Sequence, residues 1–518
     1  MRYFNTAGPC HKADHYMIEA ALRLQGVEQM IDMKQYFVIH AARQSGKTTY
    51  LRDLAHRLNE TGKYYTLYCS LESLQGVEKA ETGIPQIISC IAKSLYNAKI
   101  PHYENFAKEA NFFFFTTVLN FELTKYIASL DKPLILLFDE ADCLSEDTLI
   151  SFLRQLRDGY NNRSDNPFVH SVALVGMRNI RDYKAKVRPD SQTLGSASPF
   201  NIVTETFTLE NFTFPEVASF YQQHTVETGQ RFEPNAIELV YEQTQGQPWL
   251  VNAIAREVIV KLLQSDYTQP VTASLAHQAI QNIILRCDTH IDSLLERLKE
   301  DRVRRVIEPM LTGEDFFERT SDDYKYVTDL GLIKNIRGKI VPSNPIYAEV
   351  ITRTLSYDAQ EKLMQKKPEA EIPRYLKNGK IDLDYLLQEF QQFWRENSAI
   401  WIERYQYKEA APHLILQAFL QRVLNGGGEL IREPAAGTGR TDLCVVYEGL
   451  KYPIELKIRR DKKTYHEGIE KTIQYMDTFG CSQGWLVIFD QRKKTSWKDK
   501  IYLKKETIEG KTVTVLGM

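Results

Sequence analysis

The sequence has 518 residues, of which 43% are hydrophobic and 25% are charged, and its formal net charge is −2. At roughly 100–200 residues per domain, this length predicts about three domains. The near-neutral charge excludes a protein that binds polyanions through its whole surface, so such a role would depend on local patches.

The chain shows no sign of export or of membrane insertion. The N-terminal stretch MRYFNTAGPCHKADHY lacks the apolar segment of a secretory signal. The longest apolar stretches, NFFFFTTVLNF and PLILLF, are far shorter than the ~20 residues of a membrane span. The seven cysteines form no CxxC pair, which argues against a zinc site and a disulfide framework. We therefore expect a cytoplasmic protein without a membrane partner.

The first motif reads YFVIHAARQSGKTT over residues 36–49. Its apolar start predicts a strand, and the following TTYLRDLAHRLNE has apolar residues at helical spacing. A tight loop between a strand and a helix N-terminus is the context of a Walker A phosphate-binding loop. There, Lys47 reaches the β- and γ-phosphates of ATP and the Thr48 hydroxyl ligates Mg²⁺. The candidate nucleotide-binding residues are Ala41, Arg43, Gln44, Ser45, Gly46, Lys47, Thr48 and Thr49. Ala41 occupies the motif's first glycine position, and the alternative is a chance GKT at a helix start.

The second motif, LILLFDEAD over residues 134–142, ends a continuous apolar run. Such a run predicts a strand buried on both faces, as in a parallel sheet. This is a Walker B pattern, in which Asp139 holds Mg²⁺ and Glu140 orients or deprotonates the attacking water. The alternative, a strand followed by an acidic helix cap, does not explain the pairing with the GKT motif.

Three further positions are weaker candidates. A third apolar strand, HSVALVGM, precedes Arg178, which is either a sensor of the γ-phosphate or a solvated loop arginine. The Gly246–Pro248 stretch ahead of a helix predicts a lid that closes over the base, so Pro248 is a nucleotide-binding candidate. Arg256 is a second sensor candidate, although a surface helix arginine is the more common interpretation.

These segments resemble a known family. YFNTAGP, YFVIHAARQSGKTTYL, FDEAD, GMRNIRDYK, SPFNI and GQPWLVNAIARE look like bacterial AAA+/STAND-like P-loop ATPases of the AAA-like ATP-binding type. KEAAPHLILQAFLQRVLNGGGELIREPAAGTGRTDL, PIELKI, QYMDTFG and GWLVIFD are similar to PD-(D/E)XK nuclease-like domains. The resemblance implies an α/β multidomain protein with a P-loop αβα sandwich, a helical lid, a winged-helix-like module and a C-terminal α/β nuclease-like domain.

The composition along the chain places the boundaries of these parts. The stretch MQKKPEAEIPRYLKNGK is charged and contains prolines, which marks a linker. The predicted divisions are the ATPase core at 1–205, the lid at 206–290, the winged-helix-like module at 291–357, a linker and helix at 358–400, and the nuclease-like domain at 401–518.

The middle module has two interpretations. DDYKYVTDLGLI predicts a helix that ends near Gly331, and LIKNIRGKIVPSN predicts a hairpin that turns at Arg337–Gly338. Such modules bind DNA through a helix in the major groove and a wing over the backbone. The alternative is a module that packs on the lid and transmits the nucleotide state, which the scarcity of basic residues in the helix favours.

The tail contains the candidate nuclease residues Asp442, Glu455 and Lys457. On a strand, Ile454, Leu456 and Ile458 share one face and Glu455 and Lys457 share the other. An antiparallel partner strand beginning at Asp442 would place two carboxylates together, which suits Mg²⁺. The metal would activate water, and Lys457 would position or deprotonate it. The alternative is the solvent-exposed face of an ordinary hairpin. Glu409 is a possible extra ligand, or a solvated acid at a helix start.

The tail is also the basic part of the chain. From Lys451 to the end there are fifteen Lys and Arg against nine Asp and Glu, an excess that favours contact with a polyanion such as DNA. Trp497 lies among lysines, where it either stacks on a base or packs.

The expected function is thus an ATP- and Mg²⁺-dependent ATPase that controls a metal-dependent DNA nuclease-like domain. Its architecture is compatible with defence against foreign DNA and with a homo-oligomer. The alternative is a nucleotide-gated switch or scaffold whose tail binds nucleic acid or protein without cutting.

Overall fold

The computed structural model describes most of the chain. The described residues are 1–19, 23–144, 146–176, 202–286, 289–310, 321–336, 339–351, 354–355, 372–404, 410–424, 428–432, 435–436, 439–440, 443–459, 463–490, 492 and 495–518. None of the described helices has the length and apolar composition that crossing a lipid bilayer requires.

The chain forms two compact units. The N-terminal unit contains Met1–His290, Lys325–Lys334 and Ser343–Ile346. The C-terminal unit contains Ile291–Tyr324, Asn335–Pro342 and Tyr347–Met518. The predicted winged-helix-like segment 291–357 is therefore divided between the two units.

A five-stranded parallel sheet is the centre of the N-terminal unit. Its strands are β1 (Tyr36–His40), β2 (Tyr65–Ser70), β3 (Leu134–Asp139), β4 (Ser171–Gly176) and β5 (Val203–Thr208). They lie in the order β2-β3-β4-β1-β5, and every neighbouring pair is parallel. The carboxyl ends of β1 and β3 therefore reach the same edge of the sheet, where ligands of open parallel sheets bind.

Helices cover both faces of this sheet. They are α1 (Val27–Asp32), α2 (Lys47–Glu60), α3 (Ala80–Ala98), α4 (Val118–Ile127) and α5 (Glu146–Asn161). Strand residues alternate between the two faces: Tyr36 and Val38 pack in the core with α3, α4 and α5, whereas Phe37 and Ile39 pack with α1 and α2. The predicted parallel sheet, with helices on both faces, is confirmed.

Four helices follow the sheet within residues 206–290, the stretch predicted to be a helical lid. They are α6 (Phe214–Thr228), α7 (Pro234–Thr244), α8 (Pro248–Arg256) and α9 (Ala273–Arg286), and a π-helical turn, Glu257–Leu262, extends α8. Short 3₁₀ turns occur elsewhere in the chain, at Glu72–Leu74, Tyr103–Asn105, Phe112–Phe114, Ala141–Cys143 and Ile372–Tyr375.

The helix and hairpin strands predicted for the middle segment are present. The elements here are α10 (Thr289–Leu298), α11 (Asp301–Met310), α12 (Asp322–Asp329), β6 (Ile333–Ile336) and β7 (Lys339–Pro342). The turn at Arg337–Gly338 lies outside the described residues. The winged-helix identity of this segment stays a prediction.

A six-stranded mixed sheet is the centre of the C-terminal unit. Its strands are β10 (Glu429–Arg432), β13 (Leu443–Tyr447), β14 (Leu450–Ile458), β15 (Gln483–Phe489), β16 (Tyr502–Ile508) and β17 (Lys511–Gly517), in the order β10-β13-β14-β15-β17-β16. The central pairs β14–β15 and β15–β17 are parallel and the others are antiparallel. Two small hairpins pair β8 (Leu376–Lys377) with β9 (Lys380–Ile381) and β11 (Ala435–Ala436) with β12 (Gly439–Arg440).

Helices cover this sheet as well. They are α13 (Leu383–Arg404), α14 (Ala410–Leu424), α15 (Lys463–Phe479) and the short α16 (Trp497–Lys500). On one face, the rings of Phe390 of α13 and Phe419 of α14 pack at a tilt with centroids 5.3 Å apart, and Phe390 meets Phe489 of β15 edge-to-face. On the other face, Ile469 of α15 shares a core with Leu486. Helix α13 crosses the predicted boundary at residue 400 and packs on the sheet of the tail.

Candidate nucleotide site

The phosphate-binding loop has the backbone that the motif requires. Gly46 caps the N-terminus of α2 with a φ of 94°, a left-handed conformation that glycine adopts without steric cost. Gln44, two residues earlier, also has a positive φ of 56°. The fourteen-residue helix α2 begins at Lys47, so its free N–H groups and dipole point to the edge of the sheet.

The Lys47 side chain lies inside this loop. It is 6% exposed, and its Nζ donates hydrogen bonds to the carbonyl oxygens of Ala41 (3.1 Å) and Ala42 (3.0 Å). Burial lowers the pKa of Lys47, an effect that the nearby carboxylates of Glu140, Asp142 and Asp139 oppose. The ammonium group is therefore held at the loop by carbonyls and by a cluster of acids.

Asp139 at the end of β3 joins the two nucleotide motifs. Its Oδ2 accepts hydrogen bonds from the Thr48 hydroxyl (2.6 Å) and from the Tyr68 hydroxyl (3.0 Å). A hydroxyl and a carboxylate in direct contact are the oxygen ligands that Mg²⁺ prefers. With the loop amides and Lys47 beside them, these residues fit a magnesium–nucleotide complex.

Glu140 has an unusual backbone next to this carboxylate. Its φ is 54°, which is uncommon for a residue other than glycine, and its N–H donates to Oδ1 of Asp139 (3.0 Å). Burial raises the pKa of Glu140, and the positive charge of Lys47 opposes that rise. A carboxyl group with a raised pKa at a strained position is a good candidate for proton transfer.

A comparison with protein families matches residues 7–353 to the AAA-like domain. The chain belongs to the AAA-like domain family. The match covers both motifs and ends before the C-terminal sheet. A comparison with curated proteins found no match.

Solved structures with similarity to this AAA-like protein include chains from three organisms. A Walker-type ATPase of Pyrococcus abyssi has 16% identity and a TM-score of 0.47, and the match covers 67% of this chain and 99% of that one. Cdc6p from Pyrobaculum aerophilum has 14% identity and a TM-score of 0.36, with 65% and 95% covered. The Thermotoga maritima RuvB Holliday junction branch migration motor has 12% identity and a TM-score of 0.34, with 64% and 92% covered.

Residues ahead of helix α8 and in the N-terminal segment also reach the phosphate-binding loop. Gln247, the residue before Pro248, donates from Nε2 to the Gln44 carbonyl oxygen (3.4 Å) while its Oε1 caps α8. The backbone N–H of Cys10 donates to the Thr49 hydroxyl (3.0 Å). Pro248 is itself buried at the first turn of α8. The start of α8 thus contacts the loop through Gln247.

The remaining nucleotide-site candidates differ in their surroundings. Arg256 donates to the Thr6 hydroxyl (3.3 Å), so this arginine is engaged with the N-terminal segment. Arg43 is exposed and Ser45 is buried, with its hydroxyl bonded to the Ala42 carbonyl oxygen (2.8 Å). Arg178 lies outside the described residues.

Segment 325–334 also contacts the loop. Asp329 lies 3.3 Å from Nε2 of His40, at the end of β1. A Cβ atom added to Gly331 would lie 2.5 Å from the Ala42 Cβ. Lys334 donates to Oε1 of Gln245 (3.0 Å), ahead of the lid helix α8. The segment therefore packs against the loop and against the residues ahead of α8.

The sequence did not predict that two further residues, Tyr68 and Asp142, lie beside the nucleotide motifs. Tyr68 shares Asp139 Oδ2 with Thr48, and the Asp142 carboxylate packs so closely on Gly176 that a Cβ there would lie 2.6 Å from its Oδ1. Asp142 is the last residue of the FDEAD stretch, so its closeness to the site could have been predicted from the sequence. Tyr68 had no signal, because the adjacency of β2 and β3 is not visible in the sequence.

The candidate nuclease residues of the tail are described only in part. Glu455 on β14 is 1% exposed and accepts a hydrogen bond from Lys457 Nζ (2.6 Å), while Lys471 Nζ of α15 lies at 3.7 Å. The solvent-exposed hairpin face is therefore the wrong interpretation for Glu455. It pairs with Leu486, whose side chain packs in the core with α15.

Asp442 and Glu409 lie outside the described residues. The described pairing of β13 with β14 ends at Leu443 and Ile454, the neighbours in sequence of Asp442 and Glu455. Within the described ranges, no group of three or more His, Cys, Asp or Glu residues is placed to hold a metal ion. Trp497 is partly exposed, with Lys500 Nζ 5.4 Å from its ring centroid.

Proposed function

We propose that the AAA-like domain binds ATP with Mg²⁺ and hydrolyses it. The observation that carries this proposal is the direct contact between Thr48 and Asp139 beside the buried ammonium group of Lys47. Family membership supports the same activity, since the match includes both motifs.

Each residue has a defined role in this proposal. The loop amides of Ser45 to Thr49 and the Lys47 ammonium bind the phosphates, and the lid residues Gln247 and Pro248 close the site. Thr48 and Asp139 hold Mg²⁺, which neutralises negative charge on the phosphates when bound. Glu140 orients the attacking water and accepts its proton. Arg178 remains our candidate for contact with the γ-phosphate.

Nucleotide binding is tested with Lys47→Ala. Because the ammonium group supplies the main positive charge of the site, we expect ATP affinity to fall about 100-fold or more by isothermal titration calorimetry. Lys63→Ala is the matched control, since Lys63 is exposed in the turn after α2, and it should bind as wild type does. Wild-type affinity in Lys47→Ala would overturn the proposal.

We further propose that the C-terminal unit is a nuclease-type domain that cuts DNA under the control of the ATPase. Support comes from the buried Glu455 and its hydrogen-bonded partner, the partly exposed Lys457, at the centre of a mixed sheet. In this proposal Asp442 and Glu455 hold Mg²⁺ and Lys457 positions the attacking water. The excess of basic residues after Lys451 favours DNA as the substrate.

Cleavage is tested with the full chain, Mg²⁺ or Mn²⁺, and labelled single- and double-stranded DNA. We expect cutting that is lost in Asp442→Ala and in Lys457→Ala, and that responds to ATP in wild type but not in Lys47→Ala. DNA binding without cutting in both metals would favour the alternative, a nucleotide-gated switch. Assembly into a homo-oligomer and a role in defence stay predictions.

A further inference from the structure

A surface cavity of about 910 Å³ lies in the N-terminal unit, between the 109–117 segment, helix α4 and helix α5. Its lining includes Phe114, Phe121, Glu122 and Arg154. None of the residues proposed to bind the nucleotide lines it, so the cavity is separate from that site.

Exposed aromatic side chains lie at this cavity and beside it: Phe114 and Phe121 line it, and Phe113 precedes Phe114 in the chain. Phe113 is 82% exposed, Phe114 58% and Phe121 63%, and the rings of Phe113 and Phe114 are 5.4 Å apart. Large apolar side chains exposed together mark an interaction surface more often than chance. Here they also lie next to a cavity that can accept a side chain from outside.

The exposed turn is held in place by hydrogen bonds. The Asn111 side chain accepts from the Phe113 N–H (3.1 Å) and so caps the Phe112–Phe114 turn. The buried Gln155 of α5 donates to the Phe115 carbonyl oxygen (3.0 Å) and accepts from the Leu119 N–H (2.9 Å). The aromatic rings are therefore presented by a built structure, which lowers the entropy cost of binding a partner.

Glu122 is a nearly buried acid in the wall of the cavity. It lines the cavity and is only 3% exposed. Among the described residues, no hydrogen bond or ion pair to its carboxyl group is found. The carboxyl group therefore offers a negatively charged acceptor at the cavity to a cation that enters it.

The other acids of the cavity are engaged. Asp158 accepts from the Asn120 side chain (3.0 Å), and Glu109 pairs with Lys125 (3.8 Å). The lining contains these acids, Glu122 and one cation, Arg154, so its charge is negative. A cationic group with apolar neighbours is complementary to such a cavity.

We propose that this cavity binds a segment of a partner protein that presents a Lys or Arg side chain between apolar residues. The cationic group enters the cavity and bonds to Glu122. The apolar neighbours pack on Phe113 and Phe121, as buried anchors do at the centre of interfaces. The surface thus recruits a partner to the ATPase without using the nucleotide site.

The test uses two fluorescein-labelled synthetic peptides of nine residues that are rich in leucine and serine and differ only in a central Lys or Glu. Anisotropy titrations use the full chain as wild type, Glu122→Gln and Phe113→Ser. Because a charge-assisted hydrogen bond is at stake, wild type should prefer the Lys peptide about tenfold or more. Glu122→Gln should lose most of this preference, and Phe113→Ser should weaken binding of both peptides. Glu81→Gln, at an exposed acid of α3, is the matched control and should match wild type.

Several outcomes would overturn the proposal. They are an unchanged Lys preference in Glu122→Gln, no discrimination by wild type, and no saturable binding of the Lys peptide. A loss of self-association in Phe113→Ser, measured by sedimentation, would assign the surface to a second copy of the chain and also overturn it. The rate of ATP hydrolysis in each variant verifies that the N-terminal unit is folded, since none of these residues belongs to the proposed nucleotide site.

Discussion

The hydroxyl group of Thr48 donates a hydrogen bond of 2.6 Å to the carboxylate of Asp139. Thr48 follows strand β1 and the phosphate-binding loop, whereas Asp139 ends β3, so 91 residues of sequence separation are closed by one short contact. The parallel order of the strands produces this contact, because it brings both strand ends to one edge of the sheet. The proposed magnesium site for ATP hydrolysis depends on this contact between Thr48 and Asp139.

Tyr68→Phe should weaken the response to magnesium. The hydroxyl of Tyr68 donates to the same Asp139 oxygen as Thr48 (3.0 Å), so its removal loosens one ligand. Losing a hydrogen bond that contributes about 0.5–1.5 kcal/mol should weaken Mg²⁺ binding roughly 2- to 12-fold. The Mg²⁺ concentration for half-maximal ATP hydrolysis should rise by the same factor. Tyr65→Phe is the matched control, because the hydroxyl of Tyr65, on the same strand, bonds to the remote Asp131 (2.8 Å). Equal effects of the two changes would show that Tyr68 does not position Asp139.

The pH dependence of ATP hydrolysis should follow the titration of the Glu140 carboxyl group. Burial raises the pKa of this carboxyl group, and it must be deprotonated to accept a proton from water. The rate should therefore fall as the pH falls through the raised pKa, at a higher pH than for an exposed glutamate, and should be constant above it. The measurement is kcat for phosphate release at saturating ATP and Mg²⁺ across the acid range. If Glu140→Asp leaves the midpoint of this acid limb unchanged, another group controls it.

Gly331→Ala should destabilise the protein more than Gly62→Ala. Both glycines have left-handed backbones, with φ of 76° and 69°, so both variants carry a similar strain of about 1–2 kcal/mol. Only at Gly331 does an added Cβ meet another atom, the Ala42 Cβ at 2.5 Å. Overpacking should add about 1–3 kcal/mol to the loss in the free energy of unfolding. Urea denaturation measures the difference, and equal losses would mean that segment 325–334 does not pack on the loop.

Lys457→Met should destabilise the C-terminal unit by about 1–3 kcal/mol, because it removes the closest cation from the buried Glu455. Lys471, 3.7 Å away, remains and limits the loss. Adding Glu455→Gln should restore part of the stability, so a double-mutant cycle by urea denaturation should show coupling. Lys498→Met, at an exposed lysine of α16, is the control. Additive effects of the two changes would contradict a coupled pair.

The sequence predicted the elements that carry the nucleotide motifs, because each motif is continuous in sequence. Apolar runs before Ala41 and Glu140 identified β1 and β3, and the GKT residues identified the start of α2. The contacts of Tyr68 and Gln247 were beyond prediction, because they depend on which strands are neighbours and on where the lid lies.

In the tail, too, the sequence predicted a local feature but not the burial that depends on packing between distant elements. Alternation along β14 correctly placed Glu455 and Lys457 on one face. It did not reveal that a helix covers this face, so the burial of Glu455 came only with the packing of α15 on the sheet. In the N-terminal unit, the NFFFF run suggested an apolar stretch, whereas three of its rings stand exposed.

Phosphate release by Glu140→Gln is the most direct measurement of whether Glu140 accepts the proton of the attacking water. The variant keeps Lys47, Thr48 and Asp139, so it should bind ATP as wild type does. Its rate of phosphate release at saturating ATP and Mg²⁺ should fall about 100-fold or more, because the proton acceptor is gone. Glu60→Gln, at an exposed acid of α2, should release phosphate at the wild-type rate. A wild-type rate in Glu140→Gln would show that Glu140 is not the proton acceptor in ATP hydrolysis.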